Sequence, residues 1–92
     1  MNGATTPLDS LSPEQLYLRS IVVPLCQYPV AVYTVQTTDD RGVLLTLTVA
    51  KEDMGRIIGK QGDTARAIRR ILRQFGMARD QRISIKINEP TS

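Results

Sequence analysis

The residues best suited to chemistry in this sequence form a short turn flanked by glycines, Gly59-Lys60-Gln61-Gly62. Two glycines around two polar residues let the backbone turn sharply and let the backbone of another molecule approach, because neither glycine has a Cβ atom. Lys60 would add a mobile positive charge, and Gln61 would add a hydrogen-bonding amide. This combination predicts a site of close contact with an anionic molecule.

Basic side chains are concentrated around this turn. Residues 55–82 hold eight basic and two acidic side chains, whereas residues 1–54 hold three basic and six acidic ones. Such clustering favours a polyanionic partner. Arg56 and Arg66, about one helical turn to either side of the glycines, are expected to join the contact. For the more distant Arg69, Arg70 and Arg73, a solvated helix face is the alternative interpretation.

The residue types argue against other chemistry. The sequence has no histidine and one cysteine, Cys26, so neither an internal disulfide nor a metal site is expected. The stretch Gly55 to Gln61 lacks the Walker spacing, and Gln61 replaces the hydroxyl residue that would hold magnesium. No nucleophile with its base and no paired acid and base lie near the turn. We therefore expect no enzyme, no cofactor and no small-molecule substrate.

Two predicted helices hold the turn. The first spans Lys51–Ile58, with Met54, Ile57 and Ile58 on one face. The second follows the turn and ends near Gly76, a suitable residue for a helix end. Its apolar residues recur at i, i+3, i+4 and i+7, which predicts one buried face composed of Ile68, Ile71, Leu72 and Phe75. Its arginines repeat this spacing two residues earlier and are predicted nearly opposite that face.

An N-terminal helix is predicted from Ser12-Pro13-Glu14-Gln15, which provides an N-cap, a proline at the first helical position and a capping-box glutamine. Pro24 is predicted to end or kink this helix near Val23. Its predicted buried face consists of Leu18, Ile21, Val22 and Leu25.

Three strands are predicted. Val30–Thr38 and Val43–Ala50 are rich in β-branched residues, and the turn residues 39–42 between them predict a β-hairpin. Ile83, Ile85 and Ile87 alternate with polar residues, which predicts a half-buried strand.

The predicted fold class is α+β, with the element order αββααβ and a three-stranded mixed sheet that has its helices on one face. We expect one domain at residues 11–88, a flexible N-terminal tail at residues 1–10 and a short C-terminal tail at residues 89–92. No secretory signal and no membrane-spanning run is recognisable, so we expect a cytoplasmic protein.

The sequence Ile-Ile-Gly-Lys-Gln-Gly between two helices, within this element order, resembles a KH domain of the bacterial, type II arrangement. Glu52–Gly62 and Ala65–Arg69 are similar to the small single-domain KH proteins of the KhpA type, also called the YlqC family. The resemblance covers roughly Leu16–Ile87. It implies a type II KH domain in a bacterial protein that binds single-stranded RNA, as an RNA chaperone or a post-transcriptional regulator.

The resemblance also implies a site and a partner. In KH domains the GxxG turn clamps the nucleotide backbone, and unstacked bases lie in the adjacent groove. In this sequence the RNA-binding residues would be Arg56, Gly59, Lys60, Gln61, Gly62 and Arg66. Ile57, Ile58 and Ile85 would form the groove floor, with a core position as the alternative for each. The partner would be a second copy, in a homodimer, or a larger KhpB-like KH protein, in a heterodimer.

A second interpretation is a protein-interaction module that dimerises or pairs with a KhpB-like protein and binds RNA only weakly. Asp63 and Thr64 favour it, because they follow the turn where the family pattern predicts a basic and then an aliphatic residue. The cationic region around the turn favours RNA binding.

Overall fold

The computed structural model describes residues 10–88, which fold into three α-helices and a three-stranded sheet. The elements in chain order are α1 (Pro13–Val22), β1 (Tyr33–Asp39), β2 (Gly42–Thr48), α2 (Met54–Ile58), α3 (Asp63–Ala78) and β3 (Ile83–Asn88). The αββααβ order is as predicted. The tails expected at residues 1–10 and 89–92 lie outside the described residues, apart from Ser10.

β2 is the central strand of the sheet. It pairs antiparallel with β1 and parallel with β3, so that Thr46 lies in register between Val35 of β1 and Lys86 of β3. The residues that point from β2 and β3 toward the helices are buried, namely Val43, Leu45, Leu47, Ile83 and Ile85. The predicted mixed sheet with helices on one face is therefore confirmed.

The N-terminus of α1 has the predicted capping box. Oγ of Ser12 accepts the N–H of Gln15 at 3.1 Å, and the side chain of Gln15 accepts the N–H of Ser12 at 3.0 Å. The same glutamine donates through Nε2 to Oγ1 of Thr34 at 3.0 Å. Gln15 thus caps the N-terminus of α1 and also connects α1 to β1 through a hydrogen bond.

α1 ends at Val22, and a single 3₁₀ turn that contains Pro24 follows it. Leu18 and Val22 are buried and Ile21 is half-buried, as predicted for the core face. Leu25 is 40% exposed, so its predicted burial is wrong. The tighter winding of a 3₁₀ turn changes the direction of each side chain relative to the preceding α-helix.

β1 begins at Tyr33, not at Val30 as predicted. Val30 lies in a 3₁₀ turn, Pro29–Ala31, and is 97% exposed. Pro29 explains the difference, because its fixed φ suits a helical turn and it lacks the N–H that strand pairing needs. The β-branched residues at the start of this segment therefore do not extend the strand.

α3 is rotated about its axis relative to the predicted orientation. Its buried residues are Ala65, Ile68, Leu72 and Gly76. Ile71, predicted at the centre of the buried face, is 40% exposed, and Phe75 is half-buried. The cause is the close passage of β3, since a Cβ atom on Gly76 would lie 2.9 Å from Cγ1 of Ile83. The small Ala65 and Gly76 mark the side of the helix nearest the sheet.

Gly76 is a buried residue within α3, so the predicted helix end is wrong. The helix continues to Ala78 and closes with a Schellman motif. In this motif the N–H of Gln81 donates to the carbonyl of Gly76 at 2.7 Å, and the N–H of Asp80 donates to that of Met77 at 3.2 Å. Asp80 has φ 61°, a left-handed conformation that aspartate tolerates better than most residues do.

Candidate nucleic-acid interface

The turn between α2 and α3 is built from left-handed backbone conformations. α2 ends at Ile58, and the φ angles of Gly59, Gln61 and Gly62 are 76°, 54° and 76°. Positive φ is readily available to glycine and uncommon elsewhere. The chain thus passes from one helix to the next within residues 59–62, and the side chains of Lys60 and Gln61 are exposed.

The two glycines have different surroundings. A Cβ atom on Gly59 would collide with Oγ1 of Thr64 and lie 2.8 Å from the nitrogen of that residue, so Gly59 lets the first turn of α3 pack closely. A Cβ atom on Gly62 would meet only Nη1 of Arg66, at 3.4 Å. Space for the backbone of another molecule is therefore present beside Gly62. Beside Gly59 that space is occupied by Thr64.

The start of α3 adds positive potential to the turn. The N–H of Gly62 donates to the carbonyl of Gly59 at 3.2 Å, but no side chain caps the N-terminus of this 16-residue helix. The first N–H groups of a helix lack acceptors within the helix, and the helix dipole concentrates partial positive charge there. The helix dipole therefore adds to the positive charge of Lys60, and the carboxylate of Asp63 in the first turn of α3 partly offsets it.

The two arginines next to the turn are each paired with an aspartate three residues earlier. Nη2 of Arg66 lies 3.3 Å from Oδ1 of Asp63, and Nε of Arg56 lies 3.6 Å from Oδ1 of Asp53. Lys60 is exposed and forms no ion pair with any residue in the range 10–88. Lys60 is therefore the cation of the turn that is most available to a ligand.

Asp53, which no sequence pattern singles out, organises the entry to the turn. Its side chain is completely buried, and its oxygens accept the N–H groups of Gln27 at 2.8 Å and Tyr28 at 2.9 Å. Burial alone would raise the pKa of Asp53, but these hydrogen bonds and the charge of Arg56 outweigh it, so the pKa lies below its ordinary value. Burial, and then the Asp53 carboxylate, raise the pKa of the Cys26 thiol.

The isoleucines predicted to form a groove floor differ in exposure. Ile57 is completely buried and Ile85 is 8% exposed, and both belong to the hydrophobic core. Ile58 is half-buried at the end of α2. Of the three isoleucines, Ile58 therefore has the exposed surface that a base could contact. Ile57 and Ile85 are core residues, as the alternative interpretation has it.

A cationic groove lies beside the outer edge of β3. Its volume is about 800 Å³, and its lining includes three cations and one anion, namely Arg69, Arg73, Arg82 and Asp80, together with Ile83 and Ile85. Nε of Arg69 donates to the carbonyl of Ile85 at 3.3 Å. Arg69 and Arg73 thus flank the sheet edge and do not lie opposite the buried face as predicted, because α3 is rotated. The rotation follows from the close approach of β3 to Gly76, and the periodicity of the sequence alone does not reveal it.

The described part of the chain contains no helix that is both long and apolar enough to span a membrane. Over the same residues, no group of histidine, cysteine, aspartate or glutamate is arranged to hold a metal ion.

A GxxG turn between two helices, set in a mixed αββααβ domain, defines a type II KH domain. More particularly, the family model described as the KH domain of KhpA/KhpB matches residues 15–87. The chain belongs to this family.

Several curated relatives are similar along most of their length. The chain is 43% identical over 76 residues to the RNA-binding protein KhpA of Listeria monocytogenes serovar 1/2a, which covers 83% of this chain and 99% of the relative. Identity to the RNA-binding protein KhpA of Clostridium acetobutylicum is 36% over 70 residues, or 76% and 93% of the two chains. For the Bacillus subtilis protein of the same name it is 36% over 67 residues, or 73% and 83%.

Proposed function

We propose that this protein binds single-stranded RNA through the Gly59–Gly62 turn and the adjacent groove, and that it acts by contact alone in the cytoplasm, as an RNA chaperone or a post-transcriptional regulator. The observation that carries the proposal is the exposed Lys60, two residues before Gly62, in the turn that leads into the uncapped N-terminus of α3. Backbone phosphates of RNA would contact the charge of Lys60, the accessible backbone at Gly62 and the positive end of the α3 dipole in one place. The names of the relatives support the same function.

The groove between α3 and β3 offers the RNA strand a path away from the turn. Arg66, Arg69 and Arg73 follow one another along this side of α3 over about 10 Å. The aromatic rings of Tyr17 and Phe75 stack on each other on the α1 side of the helix, so neither lines the groove. Because bases would stack on aliphatic rather than aromatic surface, we expect the affinity of one domain for RNA to be modest.

Replacement of Lys60 and Gln61 together by Asp tests the proposal. Both glycines are kept, and aspartate tolerates the left-handed conformation found at Gln61, so the domain should fold. Two carboxylates would then stand where phosphates bind, and we expect the affinity for RNA to fall at least about tenfold, or about 1.4 kcal/mol. The measurement is fluorescence anisotropy with a labelled single-stranded RNA of mixed sequence, and circular dichroism melts check folding.

A matched control replaces Thr38 and Arg41 by Asp. It changes the net charge by the same amount at two exposed positions, one near the end of β1 and one in the β1–β2 turn. We expect this control to bind RNA almost as tightly as the wild type at physiological salt, where screening limits the reach of exposed charges. Equal binding by the wild type and a folded Lys60/Gln61 variant would show that the turn is not the RNA clamp.

A second candidate function is pairing with another KH chain, in a homodimer or with a larger KhpB-like protein. An apolar surface on α1 and α3 favours it. Tyr17 and Ile71 are 38% and 40% exposed, and the ring of Tyr17 stacks on Phe75 with the centroids 4.6 Å apart. Exposed apolar side chains that cluster in this way are typical of protein interfaces. Light scattering of the purified protein tests for self-association, and Ile71→Asp should dissociate a dimer formed through this surface.

A further inference from the structure

The two aspartates that hold the arginines next to the turn differ in their other contacts. Asp53 is buried and accepts two backbone N–H groups besides the charge of Arg56. The side chain of Asp63 is 83% exposed, and within residues 10–88 its single hydrogen bond is the 3.3 Å contact with Arg66. The Asp53–Arg56 ion pair is therefore part of the packed structure, whereas the Asp63–Arg66 ion pair is exposed to solvent directly after the turn.

This difference decides which arginine can change partners. Transfer of Arg56 to a phosphate would leave a buried carboxylate without its cation, which is unfavourable. Transfer of Arg66 would leave Asp63 solvated and costs little. A phosphate also offers a guanidinium two short parallel hydrogen bonds, whereas Asp63 accepts a single long one. Arg66 is thus free to move to RNA, and Arg56 is not.

We propose that Asp63 is an internal competitor of RNA for Arg66 and thereby sets the affinity of the turn for RNA. This inference rests on the proposed RNA-binding function. In the free protein the carboxylate of Asp63 engages Arg66, and in the complex a phosphate takes its place while Asp63 turns to solvent. Arg56 keeps its contact with Asp53 in both states and acts as a positioning residue for α2.

The variant Asp63→Asn tests the proposal, because it keeps the shape of the side chain and removes its charge. We expect its affinity for single-stranded RNA to rise about threefold, a change typical of releasing an exposed ion pair. The slope of log K against log salt should change by less than about 0.7, because Arg66 neutralises the same phosphate in the wild-type and variant complexes. The matched control Asp40→Asn makes the same charge change at an exposed residue of the β1–β2 turn and should alter neither quantity.

A double-mutant cycle separates competition for Arg66 from general charge repulsion. In the Arg66→Ala background, Asp63→Asn should raise the affinity clearly less than it does in the wild type. An equal gain in both backgrounds, or an equal gain from Asp40→Asn, would overturn the competitor role.

The variant in which Asp replaces both Lys60 and Gln61 distinguishes a failure of this inference from a failure of the proposed RNA-binding function. If that variant loses RNA affinity and Asp63→Asn does not gain it, the competitor role of Asp63 is wrong and the RNA clamp stands. If the Lys60/Gln61 variant binds RNA as the wild type does, the clamp itself is wrong.

Discussion

Asp53 connects the loop before β1 to the start of α2 through a buried charge. Its partners Gln27 and Tyr28 lie 26 and 25 residues earlier in the chain. Without this contact both N–H groups would lose their acceptor, and the completely buried carboxylate would lose two donors. The ionised form of Asp53 therefore stabilises the fold at the place where the chain enters the candidate RNA site.

We expect Asp53→Asn to lower stability at neutral pH and to flatten its pH dependence. Because the folded pKa of Asp53 is depressed, the ionised carboxylate stabilises the fold above the unfolded pKa of about 3.9, and this stabilisation is lost as the pH falls through the folded value. An asparagine accepts one of the two N–H groups but presents its own donors to the other. The gap between the melting temperatures of wild type and variant should therefore stay constant from pH 7 down to about pH 4 and narrow below that pH.

The control for this experiment is Asp40→Asn, which removes an exposed carboxylate. Its melting temperature should follow that of the wild type at both pH values. A gap between wild type and Asp53→Asn that is as wide at pH 3 as at pH 7 would show that the charge of Asp53 does not stabilise the fold.

At the level of elements, α3 has three sides with different roles. The core side contains Ile68 and Leu72, the side toward β3 contains Arg69 and Arg73, and the side toward α1 contains Ile71 and Phe75. The arginines can therefore serve RNA while the exposed isoleucine serves a protein partner. Two surfaces on one helix allow both proposed contacts at the same time.

The rotation of α3 predicts unequal effects for neighbouring substitutions. Ile71→Asp places its carboxylate at a position that is 40% exposed, so we expect a cooperative melt close to that of the wild type. Leu72→Ala removes a completely buried side chain and should cost about 2–5 kcal/mol. Denaturant unfolding of both variants checks this order. If Ile71→Asp proves the more damaging change, then Ile71 belongs to the core after all.

Periodicity predicts that α3 is a helix but not how far it is turned. Ile68, Ile71, Leu72 and Phe75 fit one stripe by spacing, and the one other large apolar residue of α3, Met77, is 64% exposed. The true centre depends on how closely β3 passes Gly76, which is a tertiary contact. Local signals behave differently, since the capping box of α1 and the GxxG turn were recognisable from a few adjacent residues.

At the scale of the whole molecule, the charge distribution predicts how binding depends on salt. If three to four phosphates are neutralised, the slope of log K against log salt should be roughly −2 to −3 for a single strand. Duplex RNA should bind more weakly, since a paired helix does not present the splayed bases that a KH groove accepts. Titrations of both RNAs at several salt concentrations check this, with the Lys60/Gln61 variant expected to have a shallower slope. A slope near zero, or equal affinity for the duplex, would contradict the prediction.

The topology of the domain followed from element order, whereas its long-range contacts did not. An αββααβ order with a hairpin and a last strand reached through two helices leads to one antiparallel and one parallel pairing. The residues at the junctions, such as Val30 and Leu25, were misplaced because prolines changed the backbone there. Asp53 was missed because its partners lie far away in sequence.

The parallel pairing of β2 with β3 has a consequence for synthesis on the ribosome. β2 is complete at Thr48, but its parallel neighbour ends only at Asn88. At about 5–20 residues per second, the nascent chain would carry an unfinished sheet for roughly 2–8 seconds. During that time the apolar face of β2, with Leu45 and Leu47, lacks its core partners Ile57, Ile68 and Leu72, and one edge of β2 lacks β3. The α1–β1–β2 segment therefore leaves the ribosome as an incomplete sheet whose apolar face is not yet covered.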